Sequence, residues 1–155
     1  MTTHRIPDLK IKASGENGLI EGYGAVFNNR DFVGDICLPG CFTDSLEQHK
    51  GAGTMPAMLF SHDQARPIGK WTDMYEDEYG LVVKGRLTLD VPAAKDAFHL
   101  AADDALALSI GFSTVQAHYD QNRQANLLEE VDLREVSMVS MAANSQAKIT
   151  SVKTL

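Results

Sequence analysis

Three separated residues supply the groups that acyl transfer requires: a hydroxyl, an imidazole and a carboxylate. His62 lies where an apolar run gives way to a polar turn, Ser109 lies within an apolar segment, and Glu135 lies in a later one. A serine hydroxyl becomes a nucleophile when a base takes its proton, and that base works best when a third group orients it. Gly111, on the same strand face as Ser109, is expected to leave room for a substrate backbone. The ordinary interpretations are a turn histidine, a core hydroxyl and a solvated carboxylate.

The last long predicted strand changes its apolar phase beside Glu135. Val131 and Leu133 occupy odd positions, whereas Val136 and Met138 occupy even ones. A slip of one residue predicts a β-bulge near residues 134–135, and bulges often re-aim functional side chains. A carboxylate at this point is therefore suitably placed to orient an imidazole.

Several common sites are absent from the sequence. It contains no Gly-rich phosphate loop, no His-Glu-x-x-His and no Gly-x-Ser-x-Gly. Cys37 and Cys41 are the only cysteines, and free thiols are expected for a chain made in the cytoplasm. No further ligands stand near them at metal-binding spacing. We expect no cofactor and no metal.

Charge and hydropathy narrow the range of partners. Fourteen basic and twenty-one acidic side chains give a net charge of −7, which argues against nucleic acid or an anionic membrane as a partner. No apolar run approaches the ~20 residues that span a bilayer, and the first residues lack the apolar stretch of a signal peptide.

The 155 residues predict one domain, with a core over about residues 8–149 and a peripheral tail at 150–155. Periodicity predicts a mainly β fold, a barrel or sandwich with flanking helices. The predicted strands are 9–13, 18–27, 57–61, 68–78, 81–89, 108–119 and 127–139. Helices are predicted at 42–49 and 90–106, the second capped by Asp90, with a loop at 28–40 and a flexible Gly-rich segment at 51–53.

The order and spacing of several short motifs resemble the prohead maturation protease family of tailed bacteriophages. The resemblance covers about residues 20–149. It rests on Leu38-Pro39-Gly40-Cys41-Phe42, Leu59-Phe60-Ser61-His62-Asp63, Gly80-Leu81-Val82-Val83-Lys84-Gly85, Ala107-Leu108-Ser109-Ile110-Gly111-Phe112 and Leu133-Arg134-Glu135-Val136-Ser137-Met138. The chain departs from the family at Cys41, usually alanine, and at Ala142, often proline. It also lacks a longer C-terminal tail, as expected of a shortened or self-trimmed form.

The resemblance implies a serine endopeptidase with an assemblin-like closed β-barrel. Such enzymes act inside the immature capsid, in the host cytoplasm, where they cut scaffold or the scaffold-like segment of the major capsid protein, and often themselves. Carried over, Ser109 is the nucleophile and His62 the base. Glu135 is the preferred third member and His118 the alternative, because assemblins use a second histidine. Arg134 is a candidate oxyanion donor.

Two other functions remain open from the sequence. One is a non-enzymatic β-barrel that serves as a structural or interaction module of the phage particle. The other is a metal hydrolase that uses His62, Asp63 and a further ligand. The resemblance also implies pairing into a homodimer or a larger assembly through the helix at 90–106, although its Phe98 stripe is more typical of a helix packed in the core of a single chain.

Overall fold

A computed structural model describes residues 17–140, 146–147 and 149–153. Over these residues the chain forms eight strands and two helices, which confirms the predicted mainly β class with flanking helices. In chain order they are β1 Leu19–Val26, β2 Asp35–Cys37, α1 Thr43–Ala52, β3 Ala57–Phe60, β4 Asp63–Glu76, β5 Gly80–Leu87, α2 Pro92–Ala102, β6 Ala107–Asp120, β7 Ala125–Val139 and β8 Ile149–Lys153. The predicted strand at 9–13 lies outside the described residues.

All eight described strands belong to one sheet with β7 at its branch point. One edge of β7 pairs antiparallel with β6, and the other pairs parallel with β2 near its start and with β3 near its end. From β3 the ladder continues through β4, β5 and β1 to β8. The sheet curls into a half-barrel. Within the described residues no ladder joins β6 to β8, although the Leu108 N–H donates a bond of 3.2 Å to the Ala147 carbonyl.

The apolar core lies between the curled sheet and the helices. Trp71 of β4 is buried, and its indole N–H donates to the Val136 carbonyl of β7 at 3.0 Å, which ties distant strands together across the core. Phe98 of α2 is also buried in this core. The stripe on α2 is thus used for packing within the chain.

Several boundaries differ from those predicted. The loop at 28–40 contains β2, a strand too short to give a periodic signal. Helix α1 runs through most of the segment expected to be flexible, and it ends at Gly53, whose positive φ of 71° suits a glycine cap. Helix α2 has Val91 rather than Asp90 at its N-cap, without a side-chain cap bond. Residues 150–153, predicted as tail, continue β8 along β1.

The predicted bulge in β7 is confirmed. Gly111 of β6 pairs with Glu135, whereas the next residue, Phe112, pairs with Leu133, so Arg134 is the extra residue. Leu133 and Val136 are both fully buried on either side of it. The bulge therefore keeps both side chains in the core and moves Glu135 to the opposite face, because one residue of slip reverses every side chain beyond it.

Candidate active site

Two cross-strand pairs on β6 and β7 form the centre of the site. Ser109 lies opposite Ser137, and Gly111 lies opposite Glu135. Directly opposed residues of an antiparallel pair share a face and approach within about 5 Å. The nucleophile and the acid predicted from the sequence are therefore diagonal neighbours on one face, roughly 7–8 Å apart, although 26 positions separate them in the chain.

Gly111 makes room for the Glu135 side chain. A Cβ at position 111 would lie 2.7 Å from the Glu135 Cδ and 3.0 Å from its Oε1, and closer still to its Cγ. The expectation that this space serves a substrate backbone is thus wrong: the carboxylate side chain already fills it. Glycine is needed here because Glu135 crosses directly over the main chain of β6.

The Glu135 carboxylate accepts two hydrogen bonds at one oxygen. His62 Nδ1 and the Ser137 hydroxyl both bond to Oε1, the hydroxyl at 2.9 Å. Because a carboxylate accepts only, Nδ1 carries the proton, which leaves Nε2 of a neutral imidazole as a proton acceptor. This is the arrangement required of a general base oriented by an acid.

A strained turn holds His62 in place. Ser61 and His62 form the two-residue connection between β3 and β4, with φ values of 52° and 60°. Positive φ costs an L-residue other than glycine roughly 1–2 kcal/mol, and such strain clusters at functional sites. The Ser61 N–H donates to the Met138 carbonyl at 2.9 Å, which attaches the turn to β7.

Ser109 and His62 line the same cavity of about 190 Å³. The Ser109 residue is only 4% exposed. The His62 side chain is 42% exposed and that of Glu135 12%, so the imidazole lies at the surface and the carboxylate behind it. Among the hydrogen bonds of the described residues, none joins Ser109 directly to His62. Catalytic bonds of this kind often tighten only in the substrate complex.

Ile110 and Phe112 of β6 also line the cavity, and the rest of its wall comes from β1, β2 and the loop before β2. Asp31 and Val33 of that loop line it, with Val33 72% exposed. The Asp31 carboxylate accepts from the N–H groups of Val33 and Asp35 at 3.0 and 2.8 Å, which fixes the loop. Burial raises the pKa of Asp31, despite the opposing effect of the Asp35 N–H bond.

Three other sequence candidates lie elsewhere. His118 bonds to Glu129, nine residues along β6 from Ser109 and thus roughly 30 Å away along an extended strand. Arg134 is exposed, does not line the cavity, and forms an ion pair with Asp132 at 3.3 Å. Asp63 forms an ion pair with Arg66 rather than with its neighbour His62.

Sequence reasoning missed Ser137 as a partner of the carboxylate. Ser137 is fully buried and does not line the cavity, so it supports Glu135 and is not placed to attack a substrate. Glu135 and Ser137 are two residues apart on one strand, which places both side chains on one face. This spacing could have indicated from the sequence that the two side chains interact.

Two kinds of feature are absent from the described part of the chain, a metal site and a membrane-spanning helix. No group of three or more histidine, cysteine, aspartate or glutamate side chains there is arranged to hold a metal ion. None of its helices is long and apolar enough to cross a membrane. Cys37 and Cys41 are both buried free thiols.

Comparison with known proteins gives consistent matches. A family model described as caudovirus prohead serine protease matches residues 7–155. The prohead protease of Enterobacteria phage HK97 is 35% identical over 151 residues, which cover 96% of this chain and 66% of that protein. The prohead protease of Escherichia phage T5 is 32% identical over 147 residues, which cover 94% of this chain and 69% of that protein. The chain thus spans about two thirds of the length of these relatives.

Proposed function

The chain belongs to the caudovirus prohead serine protease family, and we propose that it is an endopeptidase of capsid maturation. Its substrates in this proposal are the scaffold or the scaffold-like segment of the major capsid protein, and the enzyme itself. Membership confirms the resemblance predicted from the sequence, and the description of the family confirms the predicted enzyme class, a serine-type hydrolase.

One observation carries the assignment of residues. The His62 imidazole is bonded through Nδ1 to the Glu135 carboxylate and lines the same cavity as the buried Ser109 hydroxyl. A surface histidine without a catalytic role has no need of a largely buried acid, a strained turn and a serine in the same cavity.

In the proposed mechanism, Ser109 Oγ attacks the scissile carbonyl while His62 Nε2 takes its proton. Glu135 keeps Nδ1 protonated and stabilises the imidazolium that forms. When the tetrahedral intermediate collapses, His62 returns the proton to the leaving amine and an ester to Ser109 remains. Water, deprotonated by His62, then cleaves that ester and restores the hydroxyl. Arg134 as an oxyanion donor stays a prediction.

We also propose that the curled sheet is an assemblin-like barrel and that the enzyme works inside the immature capsid, in the host cytoplasm. The bond between Leu108 and Ala147, which links β6 to the segment before β8, supports closure. Self-association remains a prediction, for which α2 offers the exposed side chain of Leu100. Sedimentation velocity over a range of protein concentrations tests it.

The experiment that tests the proposed function compares the wild-type chain with Ser109→Ala. Each is incubated with the cognate capsid or scaffold protein, and the fragments are identified by mass spectrometry. Loss of one member of such a unit costs on the order of 10⁴ or more in rate, so Ser109→Ala should leave the substrate intact. Unchanged processing by a folded Ser109→Ala chain would overturn the assignment.

Two controls separate the other functions. A non-enzymatic module would produce no fragments in either sample, even at high concentration. A metal hydrolase would lose activity with a chelator, whereas the proposed serine protease retains it and is instead inactivated by a covalent serine-directed inhibitor.

A further inference from the structure

One edge of β7 has a gap between its two parallel partners. On this edge, β2 pairs with residues 126–128 and β3 with residues 135–138. Within the described part of the chain, no strand pairs with the stretch between them on that side. Main-chain N–H and C=O groups that point into such a gap need other partners.

Helix α1 and the segment before it supply those partners. The Val131 N–H donates to the Cys41 carbonyl at 3.1 Å. Further along, the Leu133 N–H donates to the Ser45 hydroxyl at 2.8 Å, and the Leu133 carbonyl accepts from His49 Nε2 at 2.9 Å. Both polar groups of the Leu133 main chain are therefore held by side chains of one helix.

The two side chains on α1 are themselves well placed for this. Ser45 and His49 are four residues apart and so lie on one face of the helix. Ser45 is 3% exposed. His49 Nδ1 bonds to the Thr54 hydroxyl at 2.8 Å, and because a carbonyl accepts only, Nε2 must carry the proton that it donates to Leu133.

Helix α1 is in turn fixed to the sheet at its N-terminal end. The Glu76 carboxylate of β4 accepts from the N–H groups of Gly40 and Phe42 at 2.6 and 3.1 Å, and from the Thr43 hydroxyl at 3.0 Å. The helix is thus a fixed support against which β7 is held.

Leu133 directly precedes Arg134, the extra residue of the bulge. The bulge decides which face of β7 carries Glu135. Because Glu135 pairs with Gly111 of β6, its carboxylate lies over Gly111, where it bonds to His62. We propose that Ser45 and His49 are positioning residues for the catalytic acid, because they hold the main chain on one side of the bulge. This inference rests on the proposed function, since it assigns Glu135 a role in orienting His62.

A double-mutant cycle tests the inference. The double variant Ser45→Ala/His49→Leu is made in the wild-type chain and in the Glu135→Gln chain. Cleavage kinetics are then measured for four proteins: wild type, the double variant, Glu135→Gln and the triple variant. A displacement of about 1 Å at a catalytic group costs on the order of 10² in rate. We expect a loss of that size in kcat in the wild-type background, with KM little changed because neither residue lines the cavity.

The Glu135→Gln background gives the decisive comparison. If Ser45 and His49 act through Glu135, the added substitutions cause no further loss once the carboxylate is gone. Two single variants are also compared, His49→Leu and His49→Gln. His49→Gln should retain most of the activity that His49→Leu loses, because its amide can still donate to the Leu133 carbonyl. Gln48→Ala, an exposed position on the same helix, is the matched control and should behave as wild type.

Equal losses in both backgrounds would overturn the inference, since they would indicate a general effect on folding. Wild-type kcat in the folded double variant would overturn it as well. Thermal unfolding checks folding, and if the double variant does not fold, Ser45→Ala alone completes the cycle. Ser109→Ala separates failure of this inference from failure of the proposed function. If the Ser109→Ala chain still cleaves the substrate, the proposed function itself is wrong.

Discussion

Gly111→Ala adds one methyl group at the centre of the site and removes no functional group. The new Cβ would lie 2.7 Å from the Glu135 Cδ, whereas carbon atoms in contact prefer about 3.5–4.0 Å. The Glu135 side chain must therefore move by about 1 Å. Hydrogen bonds tolerate only a few tenths of an ångström, so its bonds to His62 and Ser137 break or distort.

The expected loss of activity follows from that displacement. A misplacement of about 1 Å costs on the order of 10² in kcat, and complete loss of the orienting carboxylate on the order of 10⁴. Overpacking of a well-packed site destabilises by about 1–3 kcal/mol. We expect Gly111→Ala to lower kcat by a factor between about 10² and 10⁴, with a measurable drop in the unfolding midpoint.

Peptide cleavage kinetics and thermal unfolding give both quantities. In a Glu135→Ala background the side-chain atoms of Glu135 that would clash are gone. There Gly111→Ala should lower the free energy of unfolding by less than about 0.5 kcal/mol. Gly51→Ala on α1, where a Cβ would have no neighbour within 4 Å, is the matched control. Wild-type activity of Gly111→Ala, or the same destabilisation with and without Glu135, would refute this account of the pair.

Three further predictions concern residues around the site and the fold. His118→Gln should cleave at the wild-type rate, because His118 lies at the far end of β6 on Glu129; a loss comparable to that of Glu135→Gln would transfer the third role to His118. If Arg134 donates to the oxyanion, Arg134→Ala should lower kcat by about 10² at an unchanged unfolding midpoint, and an unchanged kcat would remove it from the mechanism. Burial favours a higher pKa for Asp77, but bonds from the Tyr23 hydroxyl at 2.6 Å and from the Gly80 and Tyr79 N–H groups outweigh it and hold the pKa below its ordinary value. The stabilisation is present above the ordinary pKa and is lost as the pH falls through the lowered one, so Tyr23→Phe should cost about 1 kcal/mol near neutral pH and less in acid; an equal cost at both pH values would contradict this.

Local patterns predicted those parts of the fold that depend on neighbouring residues. The phase change between Leu133 and Val136 located the bulge, since side-chain alternation is a property of one strand. The strands that became β4 and β5 and both helices were also predicted, with errors at their ends. Strand β2 was missed because three residues give no period.

Contacts between segments far apart in the chain could not be predicted from such local patterns. That Gly111 lies opposite Glu135 depends on the register of β6 against β7, which the turn and the bulges set together. The roles of Ser45 and His49 depend on a gap in the sheet between β2 and β3, and the topology alone creates that gap. Nothing in the local sequence of α1 indicates that its polar residues serve the main chain of β7.

Covalent labelling shows whether Ser109, His62 and Glu135 act as one unit. The folded chain is treated with an organophosphonate inhibitor, and the modified residue and its rate of modification are determined by mass spectrometry. We expect an adduct on Ser109 that forms far more slowly in His62→Ala and in Glu135→Gln. An adduct on another serine, or a rate at Ser109 that does not depend on His62, would contradict it.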